Sequence, residues 1–258
     1  MALESTHWHP PAAYLYILQL NGHALAWEYL RRNHEYHADW KQRHGTGAGD
    51  AISRWGLELF EDPSRDARAV RPIWQNNNSH LVKLQAEDED PEKPISDQER
   101  FSFWSIPGIK QLMHNGRHVL LTSLVGREVL HLALGQGIRD GLPFSYVLPA
   151  GPHLRTSWRA IKAHRALMTG PVPVPITSTR PDRLALVHMR ALQALDGRAV
   201  GASQREIARH VFGIDHVIAN WHTDGELRAQ MRHLIRRGQA LMAGGYRSLI
   251  STSSSTGR

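Results

Sequence analysis

Between Ser203 and Arg247 the chain reads SQREIARHVFGIDHVIANWHTDGELRAQMRHLIRRGQALMAGGYR, and helix starts, helix stops and basic residues recur there in one order. Ser203 with Glu206 and Thr223 with Glu226 both fit S/T-x-x-E, in which a hydroxyl and a carboxylate each accept a backbone N–H left unpaired at a helix start. Gly213 follows the first of these helices and Gly244-Gly245 the last, where a positive φ closes the final turn without a Cβ clash. Short helices marked at both ends can bury their apolar stripes only against one another. The stretch is therefore read as a helix-turn-helix unit.

At 258 residues the chain is long enough for two modest domains, each with its own core. No run of eighteen or more apolar residues occurs, and MALESTHWHPP has neither a basic leader nor an apolar signal core. A soluble, cytoplasmic protein without a membrane partner is expected. Zero cysteines exclude disulfides, thiol nucleophiles and cysteine-ligated zinc. The net charge of +7 is lopsided: residues 1–100 carry −5, and residues 101–258 carry +12, with 18 of their 20 basic residues arginine. Arginine forks onto phosphates and guanine edges better than lysine does, so the second half suits an anionic polymer.

In chain order, residues 1–75 form a small N-terminal helical domain. Asn21 and Asn33 are placed to cap two short helices, Arg31 and Arg32 stand at the C-terminus of the first, and Tyr14, Tyr16, Trp27, Tyr36 and Trp40 are core candidates. The stretch from Arg54 to Gln75 reads as an irregular connector. Residues 76–98 are an acidic linker, with a polar turn at Asn76–Ser79 and a short strand at His80–Leu84. Residues 99–170 hold a small antiparallel sheet of about three strands, HVLLTSLV, EVLHLALG and LPFSYVLP, then a helix from Thr156 to Met168 with Trp158, Ile161 and Leu167 inward. Residues 171–178 are a proline-rich hinge that lets the C-terminal unit move. Residues 179–250 are the helix-turn-helix domain, whose first helix, Arg183–Leu195, closes at Asp196-Gly197, and 251–258 are a disordered tail. The expected class is α+β, mainly α: an N-terminal helical domain, a small antiparallel sheet in the middle and a C-terminal variant helix-turn-helix domain.

The variant lies in the turn. With Ala208 in the small-residue position of the first helix, the turn glycine arrives one residue late, at Gly213. Apolar stripes Ile207, Ala208, Val211 and Ile214, Val217, Ile218, Trp221 are expected to face each other, and the long helix Asp224–Met242 to turn Leu227, Met231, Leu234 and Leu241 inward. Two segments compete as reader: His216–His222, with His216, Asn220 and His222, or the long helix, whose Arg228, Arg232 and Arg236 share one face and which is favoured for affinity. Asn220 suits adenine and Arg228 or Arg232 guanine, each against the plainer role of phosphate contact. The DNA-contacting set is Ser203, Gln204, Arg205, Arg209, His216, Asn220, His222, Arg228, Arg232, Arg236, Arg237, Tyr246 and Arg247. Among 17 histidines, His34 with His37 and His114 with His118 have a spacing that puts both rings on one helical face, yet there is no HExxH and no third ligand near in sequence. Neither GxSxG, a phosphate loop nor a dinucleotide fingerprint is present, so neither an enzyme nor a cofactor is expected.

AWEYLRRNHEY (residues 26–36) with the following RWGLELFEDP resembles the N-terminal domain of the bacterial RovC-like transcription factors, associated with type VI secretion genes. The block from Arg183 to Ile250, with GASQREIARHVFG, Trp221 and LRAQMRHLIRRGQALMAGGYRSLI, resembles their C-terminal DNA-binding domain. Related two-domain activators govern excision of integrative and conjugative mobile elements. The resemblance implies an activator that binds double-stranded DNA through its C-terminal domain and assembles as a homo-oligomer, with RNA polymerase or an antiactivator as further partners. The rival reading is a protein-binding regulator that does not itself touch DNA. A histidine-metal hydrolase is the third, and it predicts stoichiometric zinc or manganese.

Overall fold

The structure, a computed structural model, describes residues 8–43, 48–75, 81–89, 96, 99–114, 118–125, 128–148, 154–169, 183–222 and 225–252. The expected hinge, the Asn76–Ser79 turn, most of the acidic run, Thr223 and the residues after 252 lie outside that set. Two compact units emerge: Met1–Ala51 with Phe60–Pro72 and Thr179–Arg258, and Ile52–Leu59 with Ile73–Ser178. The division falls inside a short helix, α3 (Ala48–Trp55).

The first unit is helical and unites segments far apart in sequence. A 3₁₀ helix, Pro11–Gln19, precedes α1 (Gly22–Leu30) and α2 (His34–Lys41). Asn21 accepts from the Ala24 N–H at 2.9 Å, and Asn33 from the Glu35 N–H at 2.8 Å, so both caps form where their spacing predicts. Tyr14, Trp27 and Tyr36 are buried core, while Tyr16 and Trp40 are half-buried with the guanidiniums of Arg68 and Arg43 over their rings. Between these helices and the C-terminus lie α5 (Arg183–Ala199), α6 (Gln204–Phe212), α7 (Ile214–Asn220), α8 (Glu226–Ala240) and α9 (Arg247–Thr252). The 3₁₀ helix packs on α5, and α1 on α9.

α5 does not close at Asp196-Gly197; it runs through both. Asp196 is held inside the helix by Arg32, whose Nε and Nη2 donate to its two carboxylate oxygens at 2.7 and 2.8 Å, and by the Tyr14 hydroxyl at 2.7 Å. Arg32 Nη1 also reaches Glu28 at 2.7 Å, and Glu28 in turn accepts from the Ala67 N–H. Burial by itself would raise the Asp196 carboxyl, but the Arg32 guanidinium outweighs it and holds the group below its ordinary value; Glu28 is lowered in the same way by Arg32 and Arg31. Gly197 is required for a different reason: a Cβ there would stand 2.9 Å from Ile207 and 3.1 Å from the Trp8 ring. Gly244-Gly245 supplies the expected positive φ, but the chain does not stop there. Gly244, at φ 133, kinks a π turn (Leu241–Gly245) from which the chain resumes as α9, burying Tyr246 and Ile250.

The second unit is a sheet with one covering helix. Its strands are β1 (Leu81–Ala86), β2 (Ile109–His114), β3 (Val119–Val125), β4 (Glu128–Leu134) and β5 (Phe144–Val147), in the order β2-β3-β4-β1-β5. All neighbours are antiparallel except β1 and β4. The sheet thus has two strands more than the three expected of it: β1, the short strand expected at His80–Leu84 but placed there in a linker, and β2. β2 escaped notice because IKQLMH alternates weakly, and β5 pairs with β1 rather than with the strand before it. Gly135 makes that crossing possible, since its N–H donates to the Leu84 carbonyl at 2.8 Å where a Cβ would collide. α4 (Leu154–Thr169) lays Ile161 into a core of Val82, Leu84, Phe101, Ile106, Leu121, Leu130 and Leu132. Trp158, expected inward, is 49% exposed beneath the Lys162 ammonium. His114 and His118 flank the β2–β3 hairpin rather than sharing a helical face, and His37 is committed to the Arg31 carbonyl at 2.6 Å. No helix among the described residues is long and apolar enough to cross a membrane.

Candidate nucleic-acid interface

α6 begins where Ser203 accepts the Glu206 N–H at 3.2 Å. That cap contributes about 1 kcal/mol, so Ser203→Ala is expected to lower stability by that amount in a urea titration, and Ser203→Gly by only a few tenths. Gly213, at φ 98, ends α6 and starts α7 as a single shared residue. This is a tighter junction than an ordinary turn, and a side chain at that φ would be strained. α8 opens at Glu226 with Gly225 at its N-cap and no side-chain cap; the Thr223 cap falls outside the described residues.

The three helices differ in how much of themselves they surrender to the core. α6 buries Ile207 and Ala208 and exposes Arg205 and Arg209. α8 buries Leu227, Met231, Leu234, Ile235 and Gly238, the last because a Cβ would meet Leu195 at 2.9 Å where α8 crosses α5. α7 buries Val217 alone. Ile214 and Ile218, expected to face α6, are instead 58% and 62% exposed, since seven residues attached through one glycine can turn only one apolar side chain under α6.

The arginine stripe on α8 divides accordingly. Arg232 and Arg236 are exposed, whereas Arg228 is half-buried and engaged with other groups. Arg237 turns inward, its Nε buried without a hydrogen-bond partner among the described residues, and its charge joins burial in pushing His188 down to about 4. His188 sits against the Tyr29 hydroxyl at 2.9 Å. Tyr246 is fully buried, and this corrects its place in the contact set: its ring belongs to the core, while Arg247 beside it is exposed. On α7 the Asn220 amide donates back to the His216 carbonyl at 3.0 Å, so reading a base would require exchanging that bond. His216 and His222 are exposed.

Tertiary packing adds a member that sequence reasoning missed. Arg198, in the last turn of α5, joins Gln204 at the start of α6 and Ile235, Arg232, Arg236 and Gln239 of α8 around a shallow cleft. Three guanidiniums line it and no carboxylate does. Among the described residues none of the three is in an ion pair, so their charge is available to an outside anion. The first N–H groups of α6 lie at the same place and add partial positive charge. The signal available in sequence was a basic residue five positions before the S-x-x-E cap, which becomes meaningful only once α5 is known to run past Leu195.

Residues 147–251 match the family model described as "T6SS, Transcription factor, DNA binding domain", and residues 7–59 match that of a proteobacterial transcriptional regulator-like domain. Residues 79–129 match a domain of unknown function. A search of characterised proteins finds no match to the chain.

Proposed function

We propose a mechanism from the premise that the chain is a DNA-binding regulator carrying the DNA-binding domain of the RovC-like type VI secretion transcription factors. The domains matched at residues 147–251 and 7–59 are regulatory modules. In this reading the protein is a cytoplasmic activator that binds promoter DNA through residues 179–250 as a homo-oligomer. RNA polymerase or an antiactivator would be its further partners.

The cleft of Arg198, Arg232 and Arg236 carries the reading, because three uncompensated guanidiniums beside a helix N-terminus fit a run of backbone phosphates. Gln204, Arg205 and Arg209 on α6 would extend those contacts, with Ser203 placing the helix and Arg247 reaching from α9. α7 would enter the major groove, being the helix with least surface committed to the core, and would present His216 and Asn220 to base edges; His222 follows it. Arg228 and Arg237 take supporting parts, since each is already half-buried.

The test is a footprint of the full-length chain on the promoter regions of its genome. A protected site at nanomolar protein, roughly the affinity of specific regulators, is expected. Capture of partner proteins at moderate salt after nuclease treatment, with no footprint at any promoter, would instead establish a protein-binding regulator.

A further inference from the structure

α7 keeps two of its three large apolar side chains in water. Val217 is fully buried where the helix packs against α6, yet Ile214 and Ile218 stand 58% and 62% exposed. At about 100° per residue, Ile214 and Ile218 fall about 40° apart on one flank of Val217, and His216 with Asn220 fall together on the other. Asp215 and Ala219 lie between the two flanks, opposite Val217, and both are exposed. The outward face of α7 therefore has an apolar side and a hydrogen-bonding side, and Ile218 stands nearer its crest than Ile214 does.

Single exposed apolar residues are ordinary, but these two are β-branched side chains on a helix, each held close to one χ1 rotamer. They make a small, stiff apolar surface with little entropy left to lose on contact. Two residues are far fewer than the roughly 20–30 that a stable protein interface takes from each side. Their surroundings suit a polyanion instead: Arg205 and Arg209 of α6 and Arg232 and Arg236 of α8 are exposed in the same unit. Asp215, the one acid of α7, repels phosphate from the crest of that helix but can accept from the amino group of a cytosine, which favours base edges there over backbone. On base edges in the major groove the one methyl group is the 5-methyl of thymine. We infer, resting on the placement of α7 in that groove, that Ile218 and Ile214 select thymine by its 5-methyl group, with Ile218 making the closer contact. Each methyl leaves water against an isoleucine. A cytosine in its place would leave its amino group facing that side chain without an acceptor.

The probe is the duplex that the full-length protein protects in the footprint, with one thymidine at a time replaced by deoxyuridine, which removes the methyl group and keeps every hydrogen bond. The parent protein should bind about fourfold more weakly at one position, the value of one methyl group withdrawn from water, and by a smaller factor at a second. Ile218→Ala should make thymidine and deoxyuridine equivalent at the first position and Ile214→Ala at the second. Neither should change the salt slope, because no phosphate contact is lost. Both side chains are exposed and alanine favours helix, so neither replacement threatens the fold. Equal affinity for every deoxyuridine probe and the unmodified duplex overturns methyl reading and leaves DNA binding standing. The absence of any protected duplex removes both. Undiminished preference for thymidine in both variants, with capture of a protein partner lost, assigns the apolar flank to a protein and likewise overturns methyl reading.

Discussion

Arg32→Ala is expected to lower the stability of the helical unit by about 3–5 kcal/mol, the usual cost of removing one partner from a buried ion pair. Few single changes elsewhere in the chain should match it. Arg32 has 11% of its side chain exposed, and it donates to Asp196 through two nitrogens and to Glu28 through a third. Its removal leaves half-buried Asp196 to the Tyr14 hydroxyl and fully buried Glu28 to Arg31 and the Ala67 N–H. Arg32→Lys should recover only part of the loss, because an ammonium cannot fork across both Asp196 oxygens. Urea unfolding followed by tryptophan fluorescence reads the effect through Trp8 and Trp27, both buried in this unit. A loss below about 1 kcal/mol, the level of an exposed pair, would mean that the network is not buried in solution.

The same network sets a pH dependence. Asp196 and Glu28 are held below their ordinary carboxyl values in the folded protein, so the unfolded chain binds protons first. Their stabilisation is fully present above the unfolded carboxyl range, near pH 4, and is lost as pH falls through the lower folded values. The gap in stability between the parent and Asp196→Asn should therefore shrink under acid and not under mild alkali.

The second large effect concerns DNA. Arg232→Ala combined with Arg236→Ala should weaken promoter binding about 10- to 100-fold near physiological salt, at about 1.4 kcal/mol per factor of ten. The dependence of log affinity on log salt should flatten by about two units, roughly 0.9 for each phosphate contact removed. Arg198→Ala should flatten it by about one more. Asn220→Ala should behave differently: about 1–3 kcal/mol of discrimination lost at one base position, with the salt slope unchanged. Fluorescence anisotropy on matched and mismatched duplexes separates the two patterns. An unchanged slope in the double variant would remove the cleft from the interface. An altered slope in Asn220→Ala would place α7 on the backbone rather than in the groove.

Local rules were readable wherever the partners lie within a few residues. The caps at Asn21, Asn33 and Ser203, the positive φ of Gly213 and the inward stripe of α8 all depend on a hydroxyl, an amide or a methyl group meeting its own helix or the next one. Mistakes arose where a residue answers to a distant neighbour. Asp196-Gly197 looks like a helix stop, since both residues disfavour helix interiors. An arginine 164 positions away and the Trp8 ring reverse that preference. β5 was legible as a strand, but its pairing with β1 was not, because register across a sheet depends on the path of the intervening loop. Tyr246 looked like a polar neighbour of Arg247, and only the kink at Gly244 shows that it turns inward.

By itself the sequence determined that the C-terminal third is a set of short capped helices rich in arginine, because caps, periodicity and charge are properties of contiguous residues. Tertiary structure alone decided that residues 8–43 and 60–72 share a unit with those helices, and which arginines remain free to meet an anion. Burial of Arg237, exposure of Arg232 and the arrival of Arg198 beside them are all consequences of how α8 crosses α5 at Gly238. That crossing is fixed by the fit of side chains from two separate segments, and no stretch of contiguous residues encodes it.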